Sequence, residues 1–372
     1  MDGNTVRGLS TGGVIVMCLL SSAACGIHTA PFRDESGRLI PGSVATMTDV
    51  AIGGVKQRLW FRGVSTANPA VILLHGGPGA SEAALFRHFN SDLERHFLMV
   101  YWEQRGTGRS YRSDIPPESM TIEQFVRDLD DVVEVVRRRY AKRQVLLLGH
   151  SWGSAIGILY AGRHPEKVAV YIGVGQVADM SEGECVSYEF ARREASRRRN
   201  QGALNALERI GPPPHTADEM LLSRKWVERF GGAFHRRLST GKLIWAALQT
   251  DEANVVDLIK FGQGNHFSLR HLWSEFRELD VDDTLTTFDT PIIFLLGRYD
   301  REVPSILAAR YFERIHAPYK RLVWFEESAH NPPFEEPDLF NQTLVDLLAP
   351  LVESGSWSRG LHYDQRDDHY IP

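Results

Sequence analysis

The chain has 372 residues, a hydrophobic fraction of 43%, a charged fraction of 24% and a formal net charge of -5. That length can bury a sizeable core in one large domain or two ordinary ones, and the composition is that of a soluble globular protein. The mild acidity gives no reason to expect nucleic acid or an anionic membrane as partner, and the cluster Arg192, Arg193, Arg197, Arg198, Arg199, interleaved with glutamate and alanine, reads as a solvated helix face.

Residues 1–30 read as a signal or leader segment. Arg7 precedes an uncharged run from Gly12 to Ala24, too short to cross a bilayer but suited to the apolar part of a secretory signal. Ser22 and Ala24 are small enough for a cleavage site. Cys25 followed by Gly26 also suggests a bacterial lipid anchor, although Ser22 stands where that pattern wants Leu, Val or Ile. Export to a periplasmic, secreted or lipid-anchored location is the expectation, and a leader on a cytoplasmic enzyme is the alternative. No stable membrane span is expected. Cys18 and Cys25 lie in this segment, which leaves Cys185 alone in the body. No internal disulfide follows, no cysteine–histidine pair has zinc spacing, and neither metal nor cofactor is expected.

From there, apolar or alternating runs predict strands at Val44–Ile52, Lys56–Val64, Ala70–Leu74, Phe97–Tyr101, Gln144–Leu148, Val168–Val174, Pro291–Leu296 and Arg321–Phe325. Helical patterns lie at Ser81–Phe89, Ile122–Tyr140, Ser154–His164, Ser305–Ile315 and Pro337–Leu351. Strands alternating with helices imply a mostly parallel central sheet with helices on both faces. The first two strands have no helix between them and predict an antiparallel hairpin at one edge. After Gly175 the alternation breaks. Residues 176–287 are charged and helix-like, interrupted at Gly211-Pro212-Pro213-Pro214, and read as a helical cap inserted after the sixth strand, over the strand C-termini. The core is then residues 31–175 and 288–352, with a loose tail at 353–372.

The most informative segment is Gly149-His150-Ser151-Trp152-Gly153, between the apolar run Val145–Leu148 and a helix-forming stretch. A serine bracketed by glycines at a strand-to-helix turn has its backbone strained and its hydroxyl lifted clear of the sheet. An acid and then a histidine should follow, each on a loop past a later strand. Asp300, in Gly297-Arg298-Tyr299-Asp300, and His330, in Glu326-Glu327-Ser328-Ala329-His330, meet that order. Asp179, at the cap entrance, is the alternative acid. His75 and His150 flank the turns and are expected to shape loops by hydrogen bonding. The oxyanion site should combine the amide of Trp152 with one from His75-Gly76-Gly77-Pro78-Gly79, Gly77 being the first choice and Gly76 the second.

The segments His75–Gly79, Glu103-Gln104-Arg105-Gly106-Thr107-Gly108-Arg109-Ser110, Ser151-Trp152-Gly153-Ser154 and Gly297–Asp300 together resemble the prolyl aminopeptidase (proline iminopeptidase) branch of the α/β-hydrolase superfamily. Members usually show Asp where Glu103 stands and Gly where His150 stands. The resemblance implies the α/β-hydrolase fold and release of an N-terminal residue, often proline, from a short peptide. It also implies cap glutamates that hold the substrate ammonium. Glu182, Glu184 and Glu275 are the candidates here, with no cap motif to choose among them.

The expected mechanism is two-step acyl transfer: His330, oriented by Asp300, takes the Ser151 proton, and the Trp152 and Gly77 amides hold the oxyanion. An ordinary imidazole in that role predicts activity that declines below about pH 6–7. An esterase or lactonase acting on a small neutral carbonyl substrate is the nearest alternative. A non-catalytic ligand-binding member of the fold is the alternative from another class.

Overall fold

The strand Val145–His150 lies inside an eight-stranded sheet, buried along its whole length, and carries Ser151 at its C-terminal end. The computed structural model describes residues 29–235 and 238–353. Residues 1–28 of the expected leader, with the expected anchor at Cys25, and tail residues 354–372 lie outside the described residues. The strands are β1 (Val44–Ile52), β2 (Val55–Gly63), β3 (Ala70–Leu74), β4 (Leu98–Glu103), β5 (Val145–His150), β6 (Val168–Val174), β7 (Ile292–Gly297) and β8 (Lys320–Phe325), arranged β1-β2-β4-β3-β5-β6-β7-β8. β1 and β2 form the edge hairpin, β2 meets β4 antiparallel, and every later pairing is parallel.

Strands β3 to β7 are wholly buried because helices cover both faces of the sheet. The helices are α1 (Ala83–Phe89), α2 (Leu93–His96), α3 (Ile122–Arg139), α4 (Trp152–Arg163), α5 (Met180–Arg197), α6 (Gln201–Ile210), α7 (Ala217–Arg229), α8 (Thr240–Leu248), α9 (Val255–Phe276), α10 (Ser305–Arg314), α11 (Pro332–Glu335) and α12 (Pro337–Glu353). In α3 the residues Ile122, Phe125, Leu129, Val132, Val133 and Val136 recur on one face and are buried, with Thr121 capping the start. Most boundaries shift by one or two residues from the periodicity, and two of the shifts bear on the site. α4 begins at Trp152 instead of Ser154, because Ser151 itself occupies the N-cap position, and β5 runs on to His150. Both differences shorten the link between strand and helix to a single residue.

Helices α5 to α9, between β6 and β7, form the cap. Its two ends are stitched together: Asp179 and Asp280 form an antiparallel bridge, with Met180 N–H donating to Leu279 O and Val281 N–H to Ala178 O. The insertion therefore leaves and rejoins the sheet at one place, beside the end of β6. It has a small core of its own around Tyr188, Leu207, Trp226 and Val227. α9 packs onto the main core, with Phe276 edge-on to Trp152 at 4.8 Å between ring centroids. Among the described residues, no helix is long and apolar enough to cross a membrane.

Candidate active site

Ser151 sits at φ 53°, ψ -120°, in the left-handed half of conformational space that a side chain normally avoids. Its neighbours explain why that turn closes. A β-carbon on Gly149 would stand 2.6 Å from the Gly153 carbonyl oxygen, and one on Gly153 would collide with the Leu74 carbonyl oxygen. Only glycine at both positions lets β5, α4 and the end of β3 approach this closely. The turn is held by Ser151 N–H donating to Val174 O at 2.9 Å, and by the Ser154 hydroxyl donating to Ser151 O at 2.6 Å.

Asp300 and His330, the expected acid and base, are buried and in contact. His330 Nδ1 lies 2.7 Å from Asp300 Oδ2, and Asp300 Oδ1 accepts the N–H groups of Glu302 and Val303 at 2.9 and 3.0 Å. A carboxylate only accepts, so Nδ1 carries a proton, and in the neutral ring Nε2 is the basic nitrogen. Burial by itself pushes the His330 imidazolium down. The Asp300 charge and hydrogen bond, with a contribution from Glu302, outweigh it and raise the group to about 9. The ordinary imidazole value assumed from sequence is therefore corrected upward. Asp179, the alternative acid, caps α5 by accepting Glu182 N–H at 3.0 Å.

The loop after β3 lies against the elbow, since a β-carbon on Gly76 would stand 3.3 Å from Ser151 Cβ. Gly77 has φ 119° and begins a cis Gly77–Pro78 peptide. His75 shapes this loop. Its Nε2 accepts Gln104 N–H at 3.2 Å, so its Nδ1 carries the proton and donates to Gly76 O at 2.8 Å. Burial pushes the His75 imidazolium down, in keeping with this neutral form. Gln104 also accepts from Trp152 Nε1 at 2.9 Å and donates to His75 O at 3.1 Å, which joins α4 to the same loop. Glu103 is buried, accepts from Trp60 Nε1 and Arg109 N, and is pushed up by burial.

The three cap glutamates have separate surroundings. Glu182 pairs with Arg310 at the surface. Glu275 accepts Ile122 N–H at 3.0 Å, at the start of α3. Glu184 is buried, lies 2.7 Å from His215 Nδ1 and is pushed up by burial. Only Glu184 of the three lines the small cavity between α5, α7 and the loop after β7, which it shares with Gln176, Asp179, Arg224 and Glu302.

Sequence reasoning missed Gly175 and Glu335. Gly175, at φ +52°, runs so close to the imidazole that a β-carbon would stand 2.8 Å from His330 Cε1. Its position directly after β6 was the available signal. Glu335 accepts the backbone N–H groups of His235, Ala329 and Asn331, which joins the cap to the histidine loop. No local pattern marks it.

A family model described as alpha/beta hydrolase fold matches residues 69–337. A probable aminopeptidase of Bacillus subtilis (strain 168) is 35% identical over 305 residues, covering 81% of this chain and 96% of that protein. The proline iminopeptidase of Heyndrickxia coagulans is 26% identical, covering 75% of this chain and 90% of its own. The crystal structure of a proline iminopeptidase-related protein from Thermus thermophilus is similar with a TM-score of 0.61 and 20% identity, covering 84% of this chain and 99% of the other. At that identity the likeness is one of fold.

Proposed function

The chain belongs to the α/β-hydrolase fold family, as a serine hydrolase of its iminopeptidase branch, and we propose that it is an aminopeptidase releasing an N-terminal residue, proline above all, from short peptides. Ser151 is the nucleophile, His330 the base and Asp300 its orienting partner, with the amides of Trp152 and Gly77 as oxyanion donors. His330 Nε2 takes the Ser151 proton as Oγ attacks the carbonyl, and returns it to the leaving amine. Water then releases the acyl group by the same path.

The observation that carries the substrate class is the likeness to a probable aminopeptidase along nearly its whole length. A second reading, an esterase on a neutral substrate, draws on the engagement of all three cap glutamates with groups of the protein itself.

The test is kcat/KM on L-prolyl p-nitroanilide, its N-acetylated form and p-nitrophenyl acetate, with Ser151→Ala as control. Turnover of the free-amine arylamide, lost on acetylation and in Ser151→Ala, is the expected result. Efficient cleavage of the ester with no turnover of either arylamide would overturn the aminopeptidase reading.

A further inference from the structure

We propose that Glu82 and His150 form a second carboxylate–imidazole pair that positions His330 and locks its loop to the oxyanion loop and the serine elbow. The proposal rests on the Ser151–His330–Asp300 reading. His150 Nδ1 lies 2.7 Å from Glu82 Oε1, and His150 Nε2 lies 3.0 Å from the backbone carbonyl oxygen of His330. Both side chains are buried, Glu82 at 7% and His150 at 2% exposure. The two histidine rings face each other, 5.0 Å apart between centroids and inclined by 33°.

Each member of the pair belongs to a different part of the site. Glu82 directly precedes α1, at the end of the loop that begins with His75. It makes no side-chain bond to the helix start it could cap, and turns inward instead. His150 is the last residue of β5, directly before Ser151. Gly76 makes room for the pair, since a β-carbon there would stand 3.0 Å from Glu82 Oε1 and 3.6 Å from His150 Nδ1. One contact chain thus runs from the oxyanion loop through the elbow to the main chain of His330.

Proton counting defines what the pair is. The His330 carbonyl can only accept, so His150 Nε2 must carry a proton. The short Nδ1–Oε1 contact needs a second proton, held by the imidazole or by the carboxyl group. In either form the pair is neutral overall. Glu82 Oε2 has no hydrogen-bond partner among the described residues, so a carboxylate there has the His150 imidazolium as its balancing charge. Without Glu82, His150 keeps its carbonyl bond but loses the partner that sets its ring orientation. His330 would then swing about Asp300 with its carbonyl less firmly fixed. A misplacement of about 1 Å at a base costs roughly 100-fold in rate.

The experiment compares Glu82→Ala, Glu82→Gln, His150→Ala and His150→Gln with the wild type. It reads kcat and KM on L-prolyl p-nitroanilide or p-nitrophenyl acetate, whichever the wild type turns over, and the second-order rate of Ser151 labelling by a fluorophosphonate. Positioning predicts that Glu82→Ala lowers kcat and labelling rate together by about 10–100-fold with KM nearly constant. Glu82→Gln, which keeps a hydrogen bond to His150, recovers most of that loss. His150→Gln, which keeps an N–H for the His330 carbonyl, exceeds His150→Ala. A folded Glu82→Ala protein with wild-type kcat and labelling rate overturns the proposal, as does a rise in KM at constant kcat. If Glu82→Ala does not fold, equal rates for His150→Gln and His150→Ala overturn it instead. A wild-type protein inert to the fluorophosphonate would defeat the underlying nucleophile assignment, a separate outcome.

Discussion

The backbone N–H of His330 donates to the carbonyl oxygen of Ala233, in the cap, at 3.1 Å. The Asn331 side chain donates to the same oxygen at 3.0 Å, Arg301 N–H donates to Gly232 O at 2.8 Å, and the His235 ring stacks on Tyr299 at 3.6 Å between centroids. The cap segment Gly232–His235 is therefore hydrogen-bonded to both loops that carry the proposed acid and base. If these contacts hold the base in place, the cap's position and the aim of His330 are coupled.

Glu335 is the tie whose removal tests that coupling. Glu335→Ala leaves three backbone N–H groups, of His235, Ala329 and Asn331, without their acceptor. Each buried orphan donor costs about 1–3 kcal/mol. The expected result is a loss of roughly 2–4 kcal/mol in urea denaturation, discounting for water that reaches the loop, with kcat/KM down at least about tenfold. Unchanged activity in a destabilised protein would mean that the cap and the base are uncoupled.

The pH dependence follows from the Asp300–His330 pair. With His330 raised to about 9, the neutral base is scarce at pH 7, so kcat/KM should climb from pH 6, pass half its maximum near pH 9 and level only about one unit higher. Asp300→Asn removes the charge that raises the imidazolium. It should move this rise to lower pH and depress kcat by about 10⁴-fold through loss of the working tautomer. A wild-type profile already flat above pH 7 would sink the assignment of a raised base.

Gly175→Ala should be a rate mutation with little effect on substrate affinity. The new methyl would stand 2.8 Å from His330 Cε1, at a φ of +52° that disfavours any side chain. A drop of about 100-fold in kcat is expected, with KM within about threefold. Steady-state kinetics on the wild-type substrate decides it, and a larger change in KM than in kcat would place the glycine in substrate binding.

A buried ionic network anchors the far side of the cap. Glu252, between α8 and α9, accepts from Arg87 Nε at 3.0 Å, while Arg87 and Arg62 both pair with Glu94 at 2.9 and 3.0 Å. Glu252→Ala leaves two guanidinium groups against one carboxylate in a closed space. Its cost should be about 3 kcal/mol, and the double variant Arg87→Met/Glu252→Leu should recover part of it. Denaturation midpoints measure both, and hydrogen exchange in α8 and α9 should rise in the single variant alone. A single variant as stable as wild type would show that the network is solvated in solution.

The amino-acid sequence alone determined the sheet, the cap's place in it and the elbow. Those features are signalled by patterns local in the chain, the alternating apolar runs and the glycines that flank Ser151, even though the strands and the elbow are completed by distant partners such as Leu74 and Val174. Asp300 and His330, which the structure brings into contact, were both marked in the sequence because each follows its own strand. Tertiary structure alone decided everything that required segments far apart to meet. It put Gly175 under the imidazole, Ala233 against the His330 amide and Glu82 against His150. It also gave Glu182 to Arg310 and Glu275 to the start of α3, and it raised His330 through the buried charge of Asp300. Periodicity records which face of an element is buried, whereas a partner's distance and charge in a low-dielectric interior depend on how the whole chain packs.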